Sequence, residues 1–358
     1  MIKNIKPNAK MKFVLKNIIR ENVANMKPYS SARDDFQGVT NGMVFLDANE
    51  NPFENGVNRY PDPMQMTVKS ELAKIKGVLQ ENILLGNGSD EVIDLIFRAF
   101  CEPNNDNIIT LPPSYGMYDV SANLNNIEIR EVVLNSDFQP NVEKILGSID
   151  AATKIVFLCS PNNPSGNLFH YSSIKAIVNG FNGLVVVDEA YIDFAPESSW
   201  IKELPNHPNL IVSQTMSKAY GMAGIRLGVC YASKEIISVL NKIKPPYNIS
   251  ELTQKKALAR LLAYEDVKEE VEAIKEERGQ LEIALKEISF VDKIYHSDAN
   301  FLLVKVDDAT LRYQELIKRG IVVRNRTTQL LCENTLRFTV GTIKENKALL
   351  KALKDIEE

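Results

Sequence analysis

From about Leu72 to Ala232, short β-branched apolar runs alternate with amphipathic stretches. The apolar runs predict strands at residues 83–85, 108–110, 127–133, 155–158, 184–188, 211–214 and 227–231, and helical spacing predicts helices at 89–101, 142–149 and 172–178. Strands that alternate with helices form a largely parallel sheet covered on both faces. Residues 184–187 are uniformly apolar, which predicts a central strand. After Pro245-Pro246 the pattern changes. Residues 251–287 are rich in Lys, Glu, Ala and Leu and lack proline, so they predict one or two helices linking the large unit to a smaller one. Strands follow at 301–306, 321–324 and 336–340, with helices at 311–318 and 345–356, an α+β appendage. The segment before Leu72, punctuated by Pro28, Gly38, Gly42, Pro52, Gly56, Pro61 and Pro63, predicts an ordered arm and no domain of its own. The expected division is an arm at 1–60, a large unit at 61–248 and a small unit at 249–358.

Composition narrows the function classes. The 358 residues are 44% hydrophobic and 25% charged, enough for a large buried core. A net charge of −4 gives no reason to expect nucleic acid or an anionic membrane as partner. Cys101, Cys159, Cys230 and Cys332 are far apart and form no C-x-x-C pair, so they read as buried small hydrophobes in a reducing compartment. His170, His207 and His296 do not cluster, and no metal is expected. The basic stretch from Met1 to Lys10 lacks the apolar core of a secretory signal. No apolar run approaches the ~20 residues needed to cross a bilayer. A cytoplasmic, soluble protein is the expectation.

Four motifs carry candidate chemistry. The run Leu184 to Tyr191 places Asp188 at the end of a buried strand, where open α/β sheets bind ligands. Asp188 either caps the following turn or pairs with a protonated pyridine nitrogen, and Tyr191 could reach a ring hydroxyl from the same corner. The run Ser213 to Gly228 holds Thr215, Ser217, Lys218 and Arg226. A lone loop lysine is ordinarily solvated surface. Here two hydroxyls and an arginine suit a phosphate, and lysine is the residue that condenses with an aldehyde cofactor. Together these groups describe a site for pyridoxal 5′-phosphate (PLP). Leu85-Gly86-Asn87-Gly88-Ser89-Asp90-Glu91 reads as a strand-to-helix turn with Ser89 as N-cap and open N–H groups for an anion. Neither a Walker A pattern nor a G-x-G-x-x-G fingerprint is present there. Cys159-Ser160-Pro161-Asn162-Asn163-Pro164-Ser165-Gly166 is a turn by composition, or a means of aiming the Asn163 amide at the ring hydroxyl.

These motifs, in this order, resemble the fold-type I PLP enzymes of the class I and II aminotransferases. The resemblance runs from about Pro28 to the C-terminus. It narrows to the histidinol-phosphate aminotransferase family on Lys27-Pro28-Tyr29, Leu46-Asp47-Ala48-Asn49-Glu50-Asn51-Pro52, Arg59-Tyr60-Pro61-Asp62-Pro63, the run Val187 to Phe194, and the run Leu336 to Thr342. The implied fold is α/β, with a mostly parallel mixed sheet flanked by helices and a smaller α+β C-terminal domain. The resemblance implies that Lys218 bonds to PLP and then moves the substrate proton, that Asp188 pairs with the pyridine nitrogen, and that Asn163 and Tyr191 meet the ring oxygen. Tyr115 would stack on the ring. Ser89, Asp90, Thr215, Ser217 and Arg226 would hold the phosphate. The arm would pack on the small domain and the partner subunit, and Tyr60 would reach the partner's cofactor phosphate, which makes the protein a homodimer. Arg337 would grip the acidic end of either substrate, with Tyr29 and Asn49 lining the same pocket. Arg324 and Arg326 are surface charges by default, and a phosphate-bearing substrate gives Arg324 in particular a second role. The leader up to Lys10 and Ser165, where threonine is commoner, depart from the family pattern.

The implied reaction is ping-pong transfer of an amino group between L-histidinol phosphate and 2-oxoglutarate, with L-glutamate as the other product, in histidine biosynthesis. An aromatic amino acid aminotransferase or a threonine-phosphate decarboxylase of the same branch shares all four motifs. A non-catalytic PLP-binding regulator would need a DNA-binding module that the stretch ahead of Pro28-Tyr29 is too short to hold. A dehydrogenase would need the missing glycine fingerprint.

Overall fold

The alternating pattern folds into a seven-stranded sheet, seen in a computed structural model that describes residues 13–28 and 43–357. Its strands are β1 (Ile83–Asn87), β2 (Asn107–Thr110), β3 (Glu128–Glu131), β4 (Thr153–Cys159), β5 (Leu184–Asp188), β6 (Leu210–Thr215) and β7 (Leu227–Ala232). Their order is β1-β7-β6-β5-β4-β2-β3. Only β7 runs antiparallel to its neighbours. The ends of β1, β2, β4, β5 and β6 and the start of β7 therefore lie along one edge, where open α/β sheets take their ligands.

Strand β5, apolar up to its final Asp188, is the middle one, and all five of its residues are buried. Its side chains alternate as strand geometry requires. Val185 and Val187 join one core with Leu158, Val212 and Phe194, while Leu184 and Val186 join another with Phe97, Phe157 and Tyr118. Helices α1 (Glu21–Asn25), α2 (Met66–Lys76), α3 (Gly88–Phe100), α4 (Met117–Leu124), α5 (Val142–Gly147), α6 (Tyr171–Gly180) and α7 (Lys234–Ile243) flank the sheet. Of these, α1, α2, α4 and α7 go beyond the sequence expectation. The pattern break at Pro245-Pro246 falls just after α7.

The proline-free stretch makes two helices, α8 (Glu251–Leu262) and α9 (Tyr264–Leu285), with Ser250 capping the first through Thr253 N–H. They lead to an antiparallel sheet of β8 (Val291–Ile294), β9 (Phe301–Val306), β10 (Arg324–Asn325) and β11 (Thr335–Thr339), ordered β10-β11-β9-β8. Helices α10 (Ala309–Lys318) and α11 (Ile343–Glu357) close a third core around Phe338, Leu302 and Leu353. The strand expected at 321–324 is a correction. Only Arg324 and Asn325 pair, opposite Arg337 and Leu336, while Val322 stays exposed. All four cysteines are buried and free. Among the described residues, no helix is long and apolar enough to cross a membrane.

Candidate active site

Strand ends bring the candidates together. Ser89, Asp90, Tyr115, Asn163, Asp188, Tyr191, Thr215, Ser217, Lys218 and Arg226 all line one cavity of about 510 Å³, counted to its open mouth. Cys159 and Ala190 complete the wall. Tyr29 lies outside the described residues.

One end of the cavity is an anion cradle. Helix α3 begins at Gly88, capped from Asn87 with no side-chain bond to its first turn, so the N–H groups of Ser89 and Asp90 are left for an anion. Ser89 thus lies inside the helix and is not the N-cap expected. Two glycines let β7 approach this turn. A Cβ on Gly228 would sit 2.3 Å from Ser89 N, and Gly88 takes φ +78 where a Cβ would meet the Arg226 guanidinium at 2.7 Å. Arg226 itself is left-handed, and its carbonyl accepts from Gly88 N–H at 2.9 Å. Thr215 Oγ1 donates to Ser217 Oγ at 3.0 Å, completing a pair of hydroxyls opposite the helix. The Asp90 carboxylate holds both neighbours: it accepts from Tyr115 OH at 3.0 Å and pairs with Arg226 at 3.4 Å.

The other end is acidic and dry. Asp188 is 3% exposed, and burial raises its carboxyl to about 6. Its Oδ2 accepts from Tyr118 OH at 2.7 Å and its Oδ1 from Ala190 N–H at 3.2 Å. Sequence reasoning missed Tyr118. The signal was its place three residues after Tyr115, one helical turn on at the start of α4. Between the two ends stands Lys218, its amine 5.6 Å from the centre of the Tyr191 ring. Its pKa is lowered, first by burial and then by the Arg337 and Arg226 guanidinium groups. Burial likewise pushes the Tyr191 phenol up.

The small unit adds an arginine cluster that meets the cavity through Asn163 and lies outside the lining named above. Arg337 on β11 donates to Asn163 Oδ1, and its guanidinium lies 5.0 Å over the Phe301 ring. Burial and the nearby Arg326 and Arg324 lower the Arg337 pKa to about 10. Burial and Arg324 lower Arg326 too. The Nε atoms of Arg326 and Arg337 are buried without partners. The turn bearing Asn163 is pinned to the small unit as well, since Asp298 N–H donates to Gly166 O at 2.8 Å and Asp298 Oδ2 accepts from Leu168 N–H at 2.9 Å.

Tyr60 and Asn49 are not in the lining of this cavity in their own chain. They line a second depression with Tyr247 and Leu252. Tyr60 stacks on Tyr247 at 4.5 Å, and Glu50 ties the loop to itself by accepting from Arg59 and Tyr60 N–H at 2.7 Å.

The donor set fits PLP. An open helix end, hydroxyls and a guanidinium suit a phosphate, a buried carboxylate suits a ring cation, and an amine of lowered pKa lies between. Among the described residues, no group of His, Cys, Asp and Glu is arranged to hold a metal.

The sequence profile of the family "Aminotransferase class I and II" matches residues 46–353. The histidinol-phosphate aminotransferase of Flavobacterium johnsoniae is 61% identical over 96% of this chain and 98% of its own. That of Cytophaga hutchinsonii is 50% identical over 96% and 99%. Among solved structures, the histidinol-phosphate aminotransferase from Clostridium acetobutylicum superposes with a TM-score of 0.77 at 27% identity, covering 84% of this chain and 91% of that one. The one from Sinorhizobium meliloti, in complex with pyridoxal-5′-phosphate, shares the fold with a TM-score of 0.76 at 23% identity over 83% and 84%. The chain belongs to the class I and II aminotransferases, in their histidinol-phosphate aminotransferase branch, and is a fold-type I enzyme that uses PLP.

Proposed function

We propose that this enzyme moves the amino group of L-histidinol phosphate to 2-oxoglutarate, a step of histidine biosynthesis, in two half-reactions through one cavity. The observation that carries the substrate is the arginine cluster. Arg326 and Arg324 stand close enough to lower the pKa of Arg337, and Arg324 that of Arg326, while the Nε donors of Arg326 and Arg337 are buried without partners. A single carboxylate needs one such fork, while a substrate with a phosphate dianion employs more.

When bound, PLP supplies an electron sink for negative charge at the substrate Cα. The chain's own groups do the rest. Lys218 would hold the cofactor, and its amine, lowered in pKa by burial and by Arg337 and Arg226, would take the proton from the substrate Cα. Asp188 would face the ring nitrogen with negative charge in a dry setting and so favour its protonated form. Tyr191 and Asn163 hold the ring oxygen, and the bond from Arg337 to Asn163 Oδ1 leaves the amide donors free for that task. Tyr115 packs on the ring, steadied by its bond to Asp90. The first turn of α3 with Thr215, Ser217 and Arg226 binds the phosphate.

Tyr60 acts on a second copy, since it lies outside its own chain's cavity, and the working unit is a homodimer. Residues 61–248 serve as the large unit and 249–358 as the small one, with residues before 61 as the arm. The cytoplasm is the place of action, with no nucleic acid or membrane partner.

Comparing kcat/KM for L-histidinol phosphate, L-histidinol and L-phenylalanine, with 2-oxoglutarate as acceptor, tests the substrate. Removing the phosphate should cost about 100-fold or more, as expected for unpaired buried guanidinium groups. Faster turnover of L-phenylalanine than of the phosphate ester contradicts the proposal.

A further inference from the structure

A fully buried tyrosine stands behind the acid of the site, unused by the chemistry described above. Tyr118 is 1% exposed and lies on α4, with its ring stacked on Phe157 at 4.6 Å and edge-on to Tyr115 at 5.7 Å. A phenylalanine would fill that slot equally well. What a phenylalanine lacks is the hydroxyl, and it donates to Asp188 Oδ2 at 2.7 Å.

We propose that Tyr118 is a positioning residue for the bound cofactor, holding Asp188 ionised and aimed at the ring nitrogen. The inference rests on the role proposed for Asp188. Two opposed effects meet at this carboxylate. Burial favours its protonated form, and the Tyr118 hydrogen bond favours the charged one. A protonated Asp188 has no charge to offer a ring cation, so the donor decides how much of the acid is useful near neutral pH.

The groups around Asp188 make a tyrosine suited to this task. Cys159 on β4, Asp90 on α3, Tyr115 ahead of α4, and Tyr191 and Lys218 from the loops after β5 and β6 all face it electrostatically. Burial holds the Cys159 thiol up at about 12 and the Tyr118 phenol well above its ordinary value. Neither titrates near neutrality. Tyr118 therefore stays a neutral donor throughout the working range. An imidazole in its place would titrate there and pass its own protonation on to the acid.

The test is the affinity of the full-length, cofactor-free protein for PLP, titrated by absorbance from pH 5 to 8. Tyr118→Phe should bind PLP about tenfold more weakly at pH 7, the loss expected for one hydrogen bond to a buried charge. The pH below which affinity falls should rise by about one unit, the same tenfold expressed as a pKa. For an analogue with carbon in place of the ring nitrogen, Tyr118→Phe and the unaltered protein should bind equally. A merely structural tyrosine would weaken both ligands alike, and that result overturns the inference, as does an unchanged pH profile. Should Tyr118→Phe fail to fold, Tyr118→His gives the same information. A protonated imidazole should carry tight binding to lower pH, and an unshifted profile overturns the inference. Asp188→Asn separates the two assignments. If it leaves the acid fall in affinity in place, the role of Asp188 fails and the inference with it. If it removes that fall while Tyr118→Phe changes nothing, only Tyr118 is wrongly assigned.

Discussion

The cavity at the sheet edge and the depression around Tyr60 are built on opposite principles. In the cavity, Asp188, Lys218 and the phosphate donors come from strand ends far apart in sequence, and the fold of one chain brings them together, with Asp188 and Thr215 buried. Around Tyr60 the same chain leaves apolar side chains in water: Val44, Leu46 and Phe53 are each 80% exposed or more, and Tyr60 is half-exposed. Scattered apolar residues on a surface mean little, but several on one short segment fit the contact with a second copy proposed above. The cavity lining named above comes from one chain, and in the proposed homodimer that segment would add to it from the second copy.

Four substitutions sharpen or break this contrast. Lys218→Ala should lower transamination by at least about 10⁴-fold, the upper range for one acid–base group, because the covalent anchor goes with it. Steady-state assays at saturating PLP check this, and retained activity removes the cavity from the chemistry. Asp188→Asn should weaken PLP binding by about 10- to 100-fold, while stabilising the cofactor-free protein. The sign follows from burial. Folding raises the acid from 3.8 to about 6, so the folded state holds its proton more tightly and loses stability as pH rises through that window. Above it the ionised acid costs roughly 3 kcal/mol, which a neutral amide should recover in denaturant unfolding at pH 8 and not at pH 4.

Tyr60→Ala should reduce activity about tenfold, the worth of one phosphate hydrogen bond, with cofactor-free stability unchanged. Mixing it with inactive Lys218→Ala should restore activity, because in a heterodimer one site carries both defects and the other carries none. No recovery on mixing would confine Tyr60 to its own chain. The smallest effect belongs to Arg326→Lys. Loss of the fork should raise KM for L-histidinol phosphate several-fold and leave L-phenylalanine nearly unchanged.

Much of this molecule was legible in the sequence because its signals are local. The uniform apolar run of β5 and the glycine-rich turn before α3 each declare their form within a few residues. What was hidden depends on distant partners. The apolar residues 321–323 suggest a strand, but only the backbone opposite Arg337 decides where pairing starts. Ser89 has the chemistry of a cap, yet the close packing of Gly228 pulls the helix start back past it. Tyr118 is one aromatic among several until the fold sets it against Asp188. Asn49 shared a motif with the expected substrate pocket, and only the packing of Tyr60 on Tyr247 shows that its segment faces elsewhere in its own chain.

The central claim is that Lys218 and its cavity accept the amino group of L-histidinol phosphate. The most direct measurement follows the absorbance of bound PLP as that substrate is added with no keto acid present. The account predicts rapid bleaching at low substrate, with L-phenylalanine much slower. Bleaching by amino acids but not by L-histidinol phosphate would contradict the substrate, and no bleaching by any amine would contradict the assignment of Lys218.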